Sequence, residues 1–131
     1  MGSISGGAAT EVFDRRGDLK LVVGEDNSER GTFQVCSRTL ARSSPVWDTM
    51  FYGPFREGFP QQNSDEWTVS LPEDDPDGLR VILSALHGKF DAVPEGGSLD
   101  FIVNLAALAD KYDTVASLRP FWKIARLRNL N

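Results

Sequence analysis

Three short runs are all the strand this sequence offers. Leu19-Lys20-Leu21-Val22-Val23 is apolar and β-branched and stops at Gly24. Thr32-Phe33-Gln34-Val35 alternates apolar and polar, and the charged stretch from Glu25 to Gly31 reads as the turn between the two, so together they predict a hairpin. Trp67 to Leu71 is the third run. Three strands cannot enclose a core by themselves, and several apolar helices must therefore cover them. The rest of the chain has to supply those helices.

It does so with well-marked starts and stops. Ser37 to Arg42 spans one or two helical turns. Ser44-Pro45 then opens a second helix: the Ser side chain accepts from unpaired N–H groups, and Pro loses nothing at the first position because its N–H would have no partner there. Val46, Trp47, Met50 and Phe51 follow at helical spacing, and Gly53 ends the run. In Pro72-Glu73-Asp74-Asp75-Pro76, Asp75 caps and Pro76 takes the first helical position, with acids at the positive end of the dipole. Leu79, Ile82, Leu83 and Leu86 make one apolar stripe, closed by His87 and Gly88. Ser98 caps a long helix containing Phe101, Ile102, Leu105, Ala106, Ala109 and Tyr112, whose low bulk at Ala106, Ala107 and Ala109 invites a close neighbour. A last helix is predicted from about Ser117, with Leu118, Phe121, Trp122 and Ala125 inward and Pro120 tolerated in its first turn. The expectation is an α+β domain: a three-stranded sheet covered by five or six α-helices.

Length and composition set the limits. The 131 residues suit one domain, with 40% hydrophobic and 25% charged residues. A chain of this size buries roughly two-thirds of its unfolded surface. Residues 1–16 read as a flexible N-terminal segment and 17–128 as the folded domain, with order beginning near Asp18. The net charge of −5 opposes a phosphate backbone, so nucleic acid is not an expected partner. No apolar run approaches the roughly 20 residues of a membrane span, and no membrane partner is expected. A single cysteine, Cys36, cannot form a disulfide within the chain, which fits an intracellular protein of the cytoplasm or nucleus.

The ordered pieces resemble a known family. Gly17-Asp18-Leu19-Lys20-Leu21-Val22-Val23-Gly24, then Phe33-Gln34-Val35, then Leu40-Ala41-Arg42-Ser43-Ser44-Pro45-Val46-Trp47 are similar to the opening of a BTB/POZ domain. Leu71-Pro72-Glu73-Asp74-Asp75-Pro76 and Leu83-Ser84-Ala85-Leu86-His87-Gly88 resemble the strand and helix that follow in that family. Leu108-Ala109-Asp110-Lys111-Tyr112-Asp113 resembles its late helix in the form common among filamentous fungi. The resemblance covers about residues 17–128. The family's usual His after Phe-x-Val is Cys36 here, and the basic residue that often follows it is Ser37, with Arg38 one place later.

The resemblance implies a BTB/POZ-like fold and a protein–protein interaction module rather than an enzyme. Its sharpest implication is a substrate adaptor for a cullin-type ubiquitin ligase, with protein partners that include the cullin scaffold. The alternative is a self-association or scaffolding domain of a regulatory protein, such as a transcriptional regulator, with no ligase role. A homodimer by exchange of an N-terminal strand is not expected, because only 17 residues precede Asp18. Phe55-Arg56-Glu57 resembles the apolar-x-acid motif by which cullin-binding members dock the scaffold, and Tyr52 and Phe59 would widen that patch. An aromatic anchor with a flanking charge is what a compact hot spot needs.

The chemistry-bearing residues fit bland roles. His87, the only histidine, stands where a helix dipole favours it. Cys36 reads as a buried structural thiol. The two are not expected to meet, so no catalytic pair is predicted. Glu73, Asp74, Asp75 and Asp77 lack the Gly and terminal Glu of a calcium loop and read as helix caps. Neither metal nor cofactor is expected. Arg119, Lys123, Arg126 and Arg128 read as the solvated face of the last helix.

Overall fold

The computed structural model describes residues 10–25, 30–55, 66–89 and 98–119. Four strands and four helices lie in these segments: β1 (Glu11–Val12), β2 (Leu19–Val23), β3 (Gly31–Val35), α1 (Ser37–Ser43), α2 (Pro45–Tyr52), β4 (Thr68–Leu71), α3 (Pro76–Leu86) and α4 (Leu99–Lys111). The class is α+β. The sheet order is β1-β3-β2-β4. β2 and β3 form the expected antiparallel hairpin, with Leu21 opposite Phe33, while β4 adds to β2 in parallel, with Leu21 beside Val69.

The sheet has four strands, not three, and it begins at Glu11, upstream of the expected onset of order at Asp18. β1 runs parallel to β3, with Glu11 beside Phe33 and Val12 beside Gln34. Side chains from distant parts of the chain hold it there. Phe13 is buried edge-on against the Phe33 ring at 5.7 Å. Arg80 on α3 grips both oxygens of Glu11 through Nε, at 3.0 and 2.9 Å, and lies over the Phe33 ring. That side-chain bond to Glu11 holds the Arg80 pKa above its usual value. Both partners of the pair are more than a third exposed, so it contributes about 1 kcal/mol at most.

One face of the sheet builds the core. Leu19, Leu21, Val23, Phe33, Val35, Val69 and Leu71 point inward in strict alternation. Leu40, Trp47, Phe51, Leu79, Ile82, Leu83, Leu105 and Tyr112 meet them from the helices. Each such side chain contributes about 1.5–3 kcal/mol by leaving water.

Helices α3 and α4 approach closely, but of the three alanines the sequence suggests only one is buried. Ala109 is buried, whereas Ala106 and Ala107 face solvent. The small residue at the contact is Gly78, where a Cβ would come within 2.7 Å of Leu108 Cδ1. Both helices end in the same six-residue closure. Lys89 donates its N–H to the Ser84 carbonyl and Gly88 to that of Ala85; Thr114 donates to Ala109 and Asp113 to Asp110. The left-handed position is Gly88 in the first (φ 75°) and Asp113 in the second (φ 53°). The predicted helix from Ser117 lies mostly outside the described residues. Leu118 is buried as expected, and Arg119 is exposed.

Candidate functional site

The C-terminal end of α2 is built from Ser44 onward. The Ser44 hydroxyl accepts the Trp47 N–H at 3.1 Å, capping the helix, and donates its proton to the Tyr112 carbonyl at the end of α4. Trp47 is fully buried and stacks on Tyr112 at 4.3 Å. Its indole nitrogen has no hydrogen-bond partner among the described residues. Five residues along, Tyr52 marks the end of the helix. Its ring stands edge-on to Trp67 and its hydroxyl meets Ser37 Oγ. Ser37 spends its own proton on Asp18 (2.6 Å), so the phenol is the donor in a chain from Tyr52 through Ser37 to Asp18. Asp18 also accepts the Ser37 N–H at 2.9 Å and so caps α1, a role that Cys36 at the N-cap position does not perform.

Past this fixed end, Pro54 and Phe55 are exposed. Tyr52 is 43% exposed and Phe55 90%. Of the residues suggested as a docking patch, these two lie three apart at the end of α2 and just beyond it. Arg56, Glu57 and Phe59 lie outside the described residues. Tyr52 is less free than the sequence implied, since its hydroxyl is committed to the core side and only part of the ring faces solvent. Phe55 is an apolar ring almost wholly in water, immediately after a rigid element.

His87 and Cys36 do meet, contrary to expectation. The Cys36 backbone N–H donates to His87 Nε2 at 3.2 Å, and His87 Nδ1 lies 2.9 Å from the Leu83 carbonyl. A carbonyl can only accept, so Nδ1 carries the proton and Nε2 is the acceptor, which fixes the neutral tautomer. Burial pushes the His87 pKa below its usual value. Both ring nitrogens are thus engaged by backbone, tying the end of α3 to the β3–α1 junction. The contact runs to the Cys36 amide and not to its thiol. Cys36 itself is half-buried rather than buried, and it lines an open depression with Arg38 and Tyr52.

The acidic run divides by role. Asp75 caps α3 through the Gly78 N–H at 3.0 Å, as expected, and Asp77 pairs with Arg80. Asp74 is not a solvated cap. It is buried and accepts from Lys111 Nζ and the Tyr112 hydroxyl, locking the start of α3 to the end of α4. No group of three or more His, Cys, Asp or Glu side chains is arranged to hold a metal ion among the described residues.

Two features escaped sequence reasoning. One is an open depression of about 500 Å³ lined by Cys36, Arg38, Ala41, Arg42, Asp48 and Tyr52. The four-residue spacing of Arg38 and Arg42 was a readable signal for it, since it puts both on one helical face. The other is an outward apolar stripe on α4, with Leu99 76%, Ile102 46% and Val103 56% exposed.

A comparison with protein-family models finds no match, and none of the curated proteins matches the sequence. Among the described residues, no helix is long and apolar enough to cross a membrane.

Proposed function

We propose that this chain is a protein-recognition module of the BTB/POZ type that acts as a substrate adaptor for a cullin-type ubiquitin ligase. Phe55 and Glu57 make the scaffold contact in this reading, flanked by Tyr52, Arg56 and Phe59. The exposure of Phe55 carries the proposal. A ring 90% in water gains about 2–3 kcal/mol when a partner covers it, and it sits beside a helix end whose position is fixed by the Tyr52–Ser37–Asp18 chain. The order of strands and helices from Leu19 to Tyr112 agrees with the family resemblance. His87 supports recognition over catalysis, because both of its ring nitrogens are spent on backbone. The test is a pull-down with a cullin N-terminal domain. Capture of the chain, lost on a Phe55→Ala/Glu57→Ala double change, is the expected result. Capture unaffected by the double change removes the site, and no capture removes the adaptor role.

The apolar stripe of Leu99, Ile102 and Val103 on α4 favours a second reading, self-association within a regulatory protein. Light scattering coupled to chromatography over a range of concentrations separates the two. A strict monomer at high concentration counts against self-association.

A further inference from the structure

We propose that the depression between α1 and α2 receives an acidic peptide segment of a partner protein, with Arg38 and Arg42 as its carboxylate-binding groups. This rests on the reading of the chain as a protein-recognition module, but not on the cullin contact. The first observation is charge against background. The chain carries a net −5, yet this depression places two guanidinium groups on one face of α1. Neither has a carboxylate partner among the described residues. Unpaired arginines present planar forks of donors that match carboxylates bidentately.

The second observation is the rest of the lining. Ala41 and the exposed part of the Tyr52 ring give an apolar floor, and the Tyr52 hydroxyl is already occupied by Ser37. The floor therefore suits a small apolar side chain rather than a further charge. Asp48 is the one acid among the described lining residues, in the first turn of α2. It repels a second carboxylate but accepts N–H groups of the segment, so it sets the direction in which an acidic strand lies. A volume of about 500 Å³, open on one side, fits a few residues of extended chain and not a whole domain.

The test is fluorescence anisotropy with three labelled peptides of about ten residues: one rich in Glu and Asp around a single Leu, its Gln/Asn counterpart, and its Lys/Arg counterpart. Attraction by net charge alone ranks the basic peptide first on a chain of −5, so a preference for the acidic one reports the depression. The expected result is saturable binding of the acidic peptide, at least about tenfold tighter than the neutral one, weakening as salt rises. Arg38→Gln/Arg42→Gln abolishes that preference, and Arg38→Lys/Arg42→Lys retains part of it. Thermal melts of each variant exclude unfolding as the cause. Equal binding of acidic and neutral peptides, tightest binding of the basic one, unchanged binding by the double Gln variant, or no saturable binding overturns the proposal. A cullin pull-down that fails while the acidic peptide binds removes the adaptor reading alone.

Discussion

Ser44 carries two bonds that few residue types could carry together. Its oxygen accepts from Trp47 N–H while its proton goes to the Tyr112 carbonyl, so one hydroxyl joins the start of α2 to the end of α4. Asp caps a helix as well as Ser but has no proton to give. Ser44→Ala should therefore cost more than a lost cap alone, about 2–3 kcal/mol, because the buried bond to the Tyr112 carbonyl is lost with it. Urea unfolding monitored by tryptophan fluorescence measures it. His87 makes a comparable link and adds pH dependence. Its folded pKa is lowered by burial, so the unfolded chain takes up the proton first. The stability it contributes is complete above the unfolded value of about 6.5 and is lost as pH falls below that toward the lowered folded value. Thermal melts between pH 7.5 and 5 should show Tm falling for the wild type. His87→Gln should show a shallower fall over the same range.

At the scale of elements, the α3–α4 pair is held by one close approach and one buried polar knot. Gly78 leaves room for Leu108, and Asp74 binds Lys111 and Tyr112. Two effects oppose each other at Gly78. A side chain there gains about 1 kcal/mol of helix propensity but must displace Leu108 Cδ1, the far end of a flexible chain, from 2.7 Å. Gly78→Ala should thus come out within about 1 kcal/mol of the wild type, while Gly78→Val should cost about 2–3 kcal/mol by overpacking and poorer propensity. Denaturant midpoints of the two variants check the pair. Helix starts were legible in the sequence because capping is local: Ser44-Pro45, Asp75-Pro76 and Ser98 each stand at the residue they announce. The Asp74 knot was not, because a carboxylate within four acids reads as solvated until its partners, far along the chain, are placed beside it.

Across the whole molecule, the α+β class and the β2–β3 hairpin were legible for the same local reason: alternation and a polar turn. β1 was hidden. Two residues carry no periodicity, and its hold on the sheet comes from Phe33 and Arg80, neither of them a sequence neighbour. The Cys36–His87 contact was hidden likewise, spanning 51 positions. Of the suggested site, Phe55 stands exposed just beyond α2, while Tyr52 faces both ways. The functional account rests on that exposed ring, and calorimetric titration of a cullin N-terminal domain into the wild type and Phe55→Ala tests it most directly. The account predicts measurable heat for the wild type and an affinity about tenfold or more weaker for Phe55→Ala, with equal melting temperatures. Equal affinity for both proteins, or no heat with either, would contradict it.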